Sequence, residues 1–416
     1  MELPGAEHLP QTPLLVVDRA ALTRNLARMQ ALCDAAGVRL RAHGKTHKCS
    51  TLGRLIVEGG AVGLCCQTVG EAEAYVAGGI TDILVTAPVP PWGPPRLAAL
   101  AKTGATVGVV ADDEGQIDRL SDAAVAAGVT LDLVVDLDLG THRAGAYPKD
   151  ALKLARAADA APGLRFAGIQ AYLGHIQHMD DLALRRSTAE ASHVVLKTLV
   201  AELTAAGLPP GVVTGGGTGA HAFDLASGVY TELQAGSYAV MDVEYDACGA
   251  PDGEAWAFEP ALFIASTVVS ANHKSHVTVD AGFKAVSMDG PPARVVAGAA
   301  PGSLWRPMGD EHGMIAHPAL IDVLKAGGRD PLSFDRAVAD ADADPDRAIP
   351  TDAPKVGDLV WLQPGHCDPT INLYDALHVW DGEKLDRWAV DGRRVSFFAP
   401  LSPANAGAQI EPTVVL

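Results

Sequence analysis

The sequence predicts an α/β protein in two parts: an N-terminal (β/α)8, TIM-like barrel followed by an antiparallel β domain. Three observations predict it. Between Asp18 and about Tyr245, short apolar runs alternate with Ala-rich stretches of helical spacing. Eight such runs can be counted, the number a closed barrel needs. After about Ala257 the texture changes to alternating apolar and polar residues broken by Asp-Gly turns, an antiparallel pattern.

In chain order the barrel strands are RLRAHGKTH, AVGLCCQ, DILVTAPV, TVGVVAD, LDLVVDLD, FAGIQAYLG, GVVTGGG and TELQAGSYA. Between them lie RAALTRNLARMQALCDAAG, VGEAEAYVAGG and DEGQIDRLSDAAVAAG, with acidic residues near the start and glycine at the end, as helices require. A doubly wound open sheet is the alternative. The boundaries follow: residues 18–255 form the barrel, and 1–17 plus 256–416 form the β domain. Within the latter, FDRAVADADADPDRAIPTDAP reads as a Pro- and Asp-rich surface loop or insertion.

The 416 residues carry a formal net charge of −18, which argues against nucleic acid or an anionic membrane as partner. No apolar run approaches the ~20 residues of a membrane span. The first eleven residues lack the basic and apolar regions of a signal peptide, so a cytoplasmic protein is expected. Six cysteines without a paired framework read as reduced thiols.

Functional groups in such barrels sit at the C-terminal ends of strands. There, in RAHGKTHKC, Lys45 stands among His43, His47 and Lys48, and neighbouring positive charge would lower its pKa and free the amine for Schiff-base chemistry. Alone, the segment reads equally as a solvated basic loop. In DLDLGTHRAGAY, Arg143 lies between Gly140 and Gly145, placed to bond a phenolate or carboxylate, though a lone loop arginine is more often a structural ion pair. The glycine run of VVTGGGTGAHAFD lets backbone N–H groups close on an anion, and Gly236, Ser237 and Tyr238 of ELQAGSY add donors. A plain tight turn is the other reading. AYLGHIQHMD places Tyr172, His175 and His178 at another strand end as candidate acids or bases. In PGHCDPTINLYD, an extended backbone would put His366 and Asp368 on one face and Cys367 on the other. That imidazole and carboxylate suit a metal with open positions, or equally a His–Asp hydrogen bond at a turn.

Together HGKTHK, DLGTHRAG, GGGTG, ELQAGSY and PGHCDP resemble, in order, the D-threonine aldolase and D-serine dehydratase family, pyridoxal phosphate (PLP) enzymes of the alanine-racemase fold. The likeness runs from TPLLVVD at Thr12 to VDGRR near the C-terminus. It implies a dimer whose barrel holds PLP, with Lys45 carrying the cofactor as a Schiff base and Arg143 at its phenolic oxygen. Gly216, Gly217, Thr218, Gly236, Ser237 and Tyr238 would hold the phosphate through backbone and hydroxyl groups, and Gln234 would stand at the pyridine nitrogen. His366 and Asp368 match the family's metal pair.

The dehydratases of this family resemble His-x-Cys at that pair and the aldolases His-x-Asp. Aspartate at 368 therefore favours the aldolase, with a hard ion such as Mn2+ or Mg2+, and Zn2+ or Co2+ as alternatives. The expected reaction is retro-aldol cleavage of a D-3-hydroxy amino acid to glycine and an aldehyde, with His178, His175 or a metal-bound hydroxide as base and Tyr172 assisting. A dehydratase, a 3-hydroxyaspartate aldolase and a non-enzymatic PLP carrier are the rival readings. Arg306 and His312 would matter for the second of these.

Overall fold

The computed structural model describes residues 3–327 and 330–393. Residues 394–416, assigned above to the β domain, lie outside the described residues.

The chain enters through β1 (Leu14–Asp18), buried along its whole length. Asp18 ends it and accepts from Ala21 N at 3.0 Å, starting the helix Arg19–Ala36, which Gly37 stops at φ +67°. Eight parallel strands then close a barrel: β2 (Arg39–His43), β3 (Gly63–Cys66), β4 (Asp82–Val85), β5 (Thr106–Ala111), β6 (Leu131–Asp136), β7 (Leu164–Ala171), β8 (Val212–Gly215) and β9 (Glu232–Leu233). β9 pairs back onto β2, so the sheet is closed and not doubly wound. Several helices between the strands begin at side-chain caps. Thr68, for example, accepts from Glu71 N at 3.2 Å while Glu71 accepts from Gln67 N at 2.7 Å.

Inward-facing residues alternate along the barrel strands and fall into layers. At the N-terminal end Arg41 bonds Glu232 and Asp82, at 2.7 and 2.6 Å. Above it Cys65, Leu84, Val110 and Val134 make a small apolar plug. Above the plug the interior turns polar, with His43, Thr86, Asp136, Gln170, Thr214 and Gln234 all buried. The barrel is thus sealed below and chemically equipped at its C-terminal mouth.

The second domain adds β10 (Leu262–Ser270), β11 (Val277–Val279), β12 (Arg294–Ala297), β13 (Leu304–Pro307), β14 (Gly313–Ala316), β15 (Leu359–Gln363), β16 (Ala376–Trp380) and β17 (Leu385–Ala389). With β1 they form a nine-stranded sheet ordered β11-β14-β13-β12-β15-β10-β1-β16-β17, in which β11 also pairs with β10. The pairing is antiparallel except between β1 and β16, which run parallel. The acidic segment expected as a loop is helical in its first half: Pro331–Ala343 is a helix capped by Asp330, which accepts from Ser333 N. Its alanines and period of apolar residues outweigh the aspartates, and only the Pro-containing remainder lacks regular structure.

All six cysteines are free and buried. Cys65 faces the barrel interior and Cys66 the surrounding helices.

Candidate active site

Lys45 lies in a one-turn 3-10 helix, Gly44–Thr46, directly after β2. His43 caps that turn, its Nδ1 accepting from Lys45 N at 3.4 Å. The Lys45 ammonium does not stand free. It bonds Asp368 Oδ2, and Ser237 Oγ reaches the other Asp368 oxygen at 3.4 Å. Asp368 comes from the loop between β15 and β16, so the second domain places a carboxylate on the barrel's lysine.

The expected lowering of the Lys45 pKa is corrected by this pair. Burial disfavours the ammonium, but Asp368 outweighs it and holds the pKa above the ordinary lysine value. The flanking histidines supply no positive charge. Burial, with a smaller push from Lys45, takes His43 down to about 3, and burial takes His47 down to about 4, so both are neutral at pH 7. Lys48 turns away to Asn372 Oδ1 at 2.9 Å and Glu71 at 3.5 Å.

PGHCDP is not extended as expected. His366 has extended geometry, at φ −132° and ψ 124°, but it directly precedes a short helix, Cys367–Ile371. Cys367 is wholly buried, its N–H held by Asp242 Oδ2 at 2.9 Å. That anchor fixes the helix start and leaves His366 and Asp368 at the barrel mouth. Asp368 is ionised: burial opposes this, but Lys45 and His366 pull its pKa below the carboxylate range.

Around His366 stand two carboxylates that sequence reasoning missed. Its Nδ1 bonds Asp289 Oδ2 at 2.9 Å and lies 3.8 Å from Glu244 Oε2. Glu244 also reaches His178 Nδ1 at 3.4 Å. His178 packs edge-on to Tyr245 at 4.4 Å between centroids and lies 6.0 Å from the His366 ring. Its Nε2 is buried and has no hydrogen-bond partner in the protein. Burial, followed by the His366 charge, lowers its pKa to about 4. His175, by contrast, is exposed and touches Thr141 Oγ1 at 3.4 Å, one turn away from this cluster. Glu244 and Asp289 carry no local motif; only the fold brings them to His366.

Arg143 is exposed, with its guanidinium 5.8 Å from the centre of the Tyr172 ring. Its loop is knotted by Asp138, which accepts from Gly140 N at 2.9 Å and His142 N at 3.0 Å. His142 is left at φ +54°, and a Cβ on Gly145 would strike the backbone of Leu137. Tyr172 follows β7; burial raises its phenol pKa, and the Lys45 ammonium offsets part of that rise.

The glycine loop follows β8. Gly216 has φ +75°, and a Cβ on Gly217 would overlap the Gln177 side chain, so the backbone itself lines this corner. Gly236 lies against the lysine turn: a Cβ there would stand 2.5 Å from Thr46 Oγ1 and 2.9 Å from His43 O. Thr218 Oγ1 accepts from Tyr238 N at 3.0 Å, tying the two segments together. The Tyr238 hydroxyl cannot join an anion site here. Its ring runs into the core against Phe258 at 5.6 Å, so only its backbone faces the loop. Gln234 is buried beneath, bonded to Gln170 and Thr214 at 3.0 Å each. Arg306 and His312 lie in β13 and the turn before β14, with Arg306 over the Phe334 ring at 4.9 Å.

This geometry is compatible with PLP and with a metal. A lysine and a glycine loop without room for side chains both follow barrel strands at their C-terminal ends, which suits a phosphate and its ring. One imidazole and one carboxylate, beside a buried ring nitrogen without a partner, suit an ion that shares its shell with substrate. Among the described residues no group of three or more His, Cys, Asp or Glu forms a closed metal cage.

The sequence matches the family model "Alanine racemase, N-terminal domain" over residues 17–243 and a serine dehydratase domain model over residues 261–380. It is 40% identical to the 3-hydroxy-D-aspartate aldolase of Paracoccus denitrificans (strain Pd 1222), over 94% of both chains. To the D-threonine aldolase of an Arthrobacter species it is 38% identical, over 92% of this chain and 93% of that one. Among solved structures, D-threonine aldolase from Filomicrobium marinum superposes with a TM-score of 0.80 at 35% identity, covering 92% of this chain and 96% of the other.

Proposed function

The chain belongs to the alanine-racemase-fold family of PLP enzymes, in the group that includes D-threonine aldolase and 3-hydroxy-D-aspartate aldolase, and we propose that it cleaves D-3-hydroxy amino acids to glycine and an aldehyde. It is on this reading a carbon–carbon lyase. The observation that carries the residue assignment is the meeting of Lys45 with Asp368, and of His366 with His178, at one barrel mouth.

Lys45 would hold PLP, with the Gly216–Thr218 loop, Gly236, Ser237 and the Tyr238 backbone at its phosphate. Arg143 would sit at its phenolic oxygen and Gln234 at its ring nitrogen. When bound, PLP takes up the electron pair left at Cα as the Cα–Cβ bond breaks. His366 and Asp368 would hold a divalent cation, Mn2+ or Mg2+ by preference and Zn2+ or Co2+ in second place, which supplies Lewis-acid polarisation.

His178 is the better base of the two histidines. Its neutral Nε2 has no protein partner and sits inside the His366 cluster, whereas His175 faces solvent. Nε2 accepts the proton of the 3-hydroxyl as that carbon becomes a carbonyl, and Glu244 at Nδ1 steadies the ring as charge develops. The Tyr172 phenol, kept protonated by its raised pKa, is a donor near Lys45 for the proton that Cα gains. Asp368 draws the Lys45 ammonium out of the way while its own charge is balanced.

The proposal includes a homodimer, a small-molecule substrate and no nucleic-acid partner. Six free thiols support a reducing, cytoplasmic setting. No helix among the described residues is long and apolar enough to cross a membrane. The test is product analysis with PLP, Mn2+ and D-threonine. Glycine with acetaldehyde supports the aldolase; 2-oxobutanoate with ammonia would make it a dehydratase.

A further inference from the structure

In the upper barrel, three amide and hydroxyl side chains fix one another's orientation. Gln170 Nε2 donates to the backbone carbonyl of Thr86 at 3.0 Å and to Asp136 Oδ1 at 2.8 Å. A carbonyl only accepts, so the Gln170 amino group must face it and Oε1 must point the other way. That oxygen meets Gln234 Nε2 at 3.0 Å, and the second Gln234 amino hydrogen goes to Thr214 Oγ1 at 3.0 Å. Both donors of Gln234 are therefore engaged. Its Oε1 is what remains, an acceptor on a side chain only 3% exposed.

The Thr86 carbonyl fixes this sequence of bonds by itself. It holds whichever charge Asp136 carries, a carboxyl that burial pushes up to about 7. Thr86 also links this layer to the lysine turn. Its hydroxyl donates to Cys66 O at 3.1 Å or Gln67 Oε1 at 3.3 Å, so it accepts from His43 Nε2 at 3.0 Å. His43 Nδ1 is then the unprotonated nitrogen that receives Lys45 N–H.

Resting on the reading that Gln234 meets the cofactor's ring nitrogen, we infer that Gln170 and Gln234 are positioning residues that offer that nitrogen an oxygen acceptor and so keep it protonated. An unprotonated nitrogen would set two lone pairs against each other in a buried site, leaving both unsatisfied. A protonated ring withdraws electrons from Cα more strongly, which favours a cleavage that leaves an electron pair there. The specificity of the device lies in Gln170: without its oxygen, Gln234 is free to turn its amino group toward the ring.

The test is the nitrogen-15 chemical shift of ring-labelled PLP bound to the full-length enzyme, recorded from pH 6 to 9. The inference expects the shift of a protonated ring throughout. Gln234→Glu, acceptor only, should retain it, whereas Gln234→Arg should abolish it and Gln170→Met should make it vary with pH. An unprotonated ring in the wild-type enzyme, with the cofactor linked to Lys45, overturns this inference and leaves the proposed function standing. A protonated ring that persists in Gln234→Arg also overturns it, because another group then supplies the acceptor. Failure of Lys45 to link the cofactor at all sinks both. The wild-type spectrum alone can overturn the inference even if a variant does not fold.

Discussion

Lys45 Nζ donates to Asp368 Oδ2 across 323 positions of sequence, joining the end of the first barrel strand to a loop of the second domain. Each charge holds the other: the lysine pKa stays up and the aspartate pKa stays down in spite of burial. One residue of the proposed cofactor site is thereby in contact with one of the proposed metal site.

Asp368→Ala should retain bound PLP and its visible absorbance but lose metal-dependent turnover by at least about 100-fold. The check is kcat with and without chelator, alongside the absorption spectrum. Turnover that survives both the substitution and chelation rejects the metal role.

The two histidines separate on their surroundings. His178→Gln should lower kcat by roughly 10²- to 10⁴-fold, the ordinary range for a lost general base. His175→Gln, altering an exposed ring, should stay within a few-fold. Equal losses in the two variants would contradict the placement of the base.

Gly236→Ala tests the close approach of two strand ends. A methyl group there meets Thr46 Oγ1 and His43 O, so the lysine turn must shift, at a cost of about 1–3 kcal/mol. A lower Tm and weaker PLP retention are expected. Unchanged values of both would mean that the turn does not pack against Gly236.

Stability should fall on the acid side. His43, His47 and His276 are buried, and burial pushes their pKa values down to about 3, about 4 and about 4. In the unfolded chain each takes a proton near pH ~6.5. Between those values the unfolded state binds protons that the native state refuses, so stability drops as pH falls from about 6.5 toward 4. Asp136 works in the opposite sense. Burial raises it to about 7, so its contribution is present at low pH and fades as pH rises through that value. Burial also raises Asp224, Asp242 and Glu244, and it lowers His175, His178, His221 and His378, so the lowered imidazoles outnumber the raised carboxyls and Tm should decline from pH 6.5 to 4.5. A flat or rising Tm over that range would mean these imidazoles are charged in the native protein.

Much of this was legible in the sequence because barrel strands and motifs coincide. RAHGKTH is both a strand and the lysine turn; VVTGGG is both a strand and the glycine loop. What was not legible depends on contacts between distant segments. The direction of the Lys45 pKa is not legible because its sequence neighbours are cationic types, whereas its spatial neighbour is Asp368. Glu244 and Asp289 stand at His366 only after β15 has been laid against β10 and β12. Tyr238 sits in a motif, yet the single turn Ser237–Ala239 sends its ring into the core. The acidic segment is helical because its aspartates do not prevent a helix whose remaining positions include several alanines together with Phe334 and Val338.

The most direct test of the account is borohydride reduction of the PLP-loaded enzyme followed by peptide mass spectrometry. A phosphopyridoxyl group is expected on Lys45, with its loss in Lys45→Ala together with the visible absorbance. An adduct on Lys48 or another lysine, or an unaltered absorption band in Lys45→Ala, would contradict it.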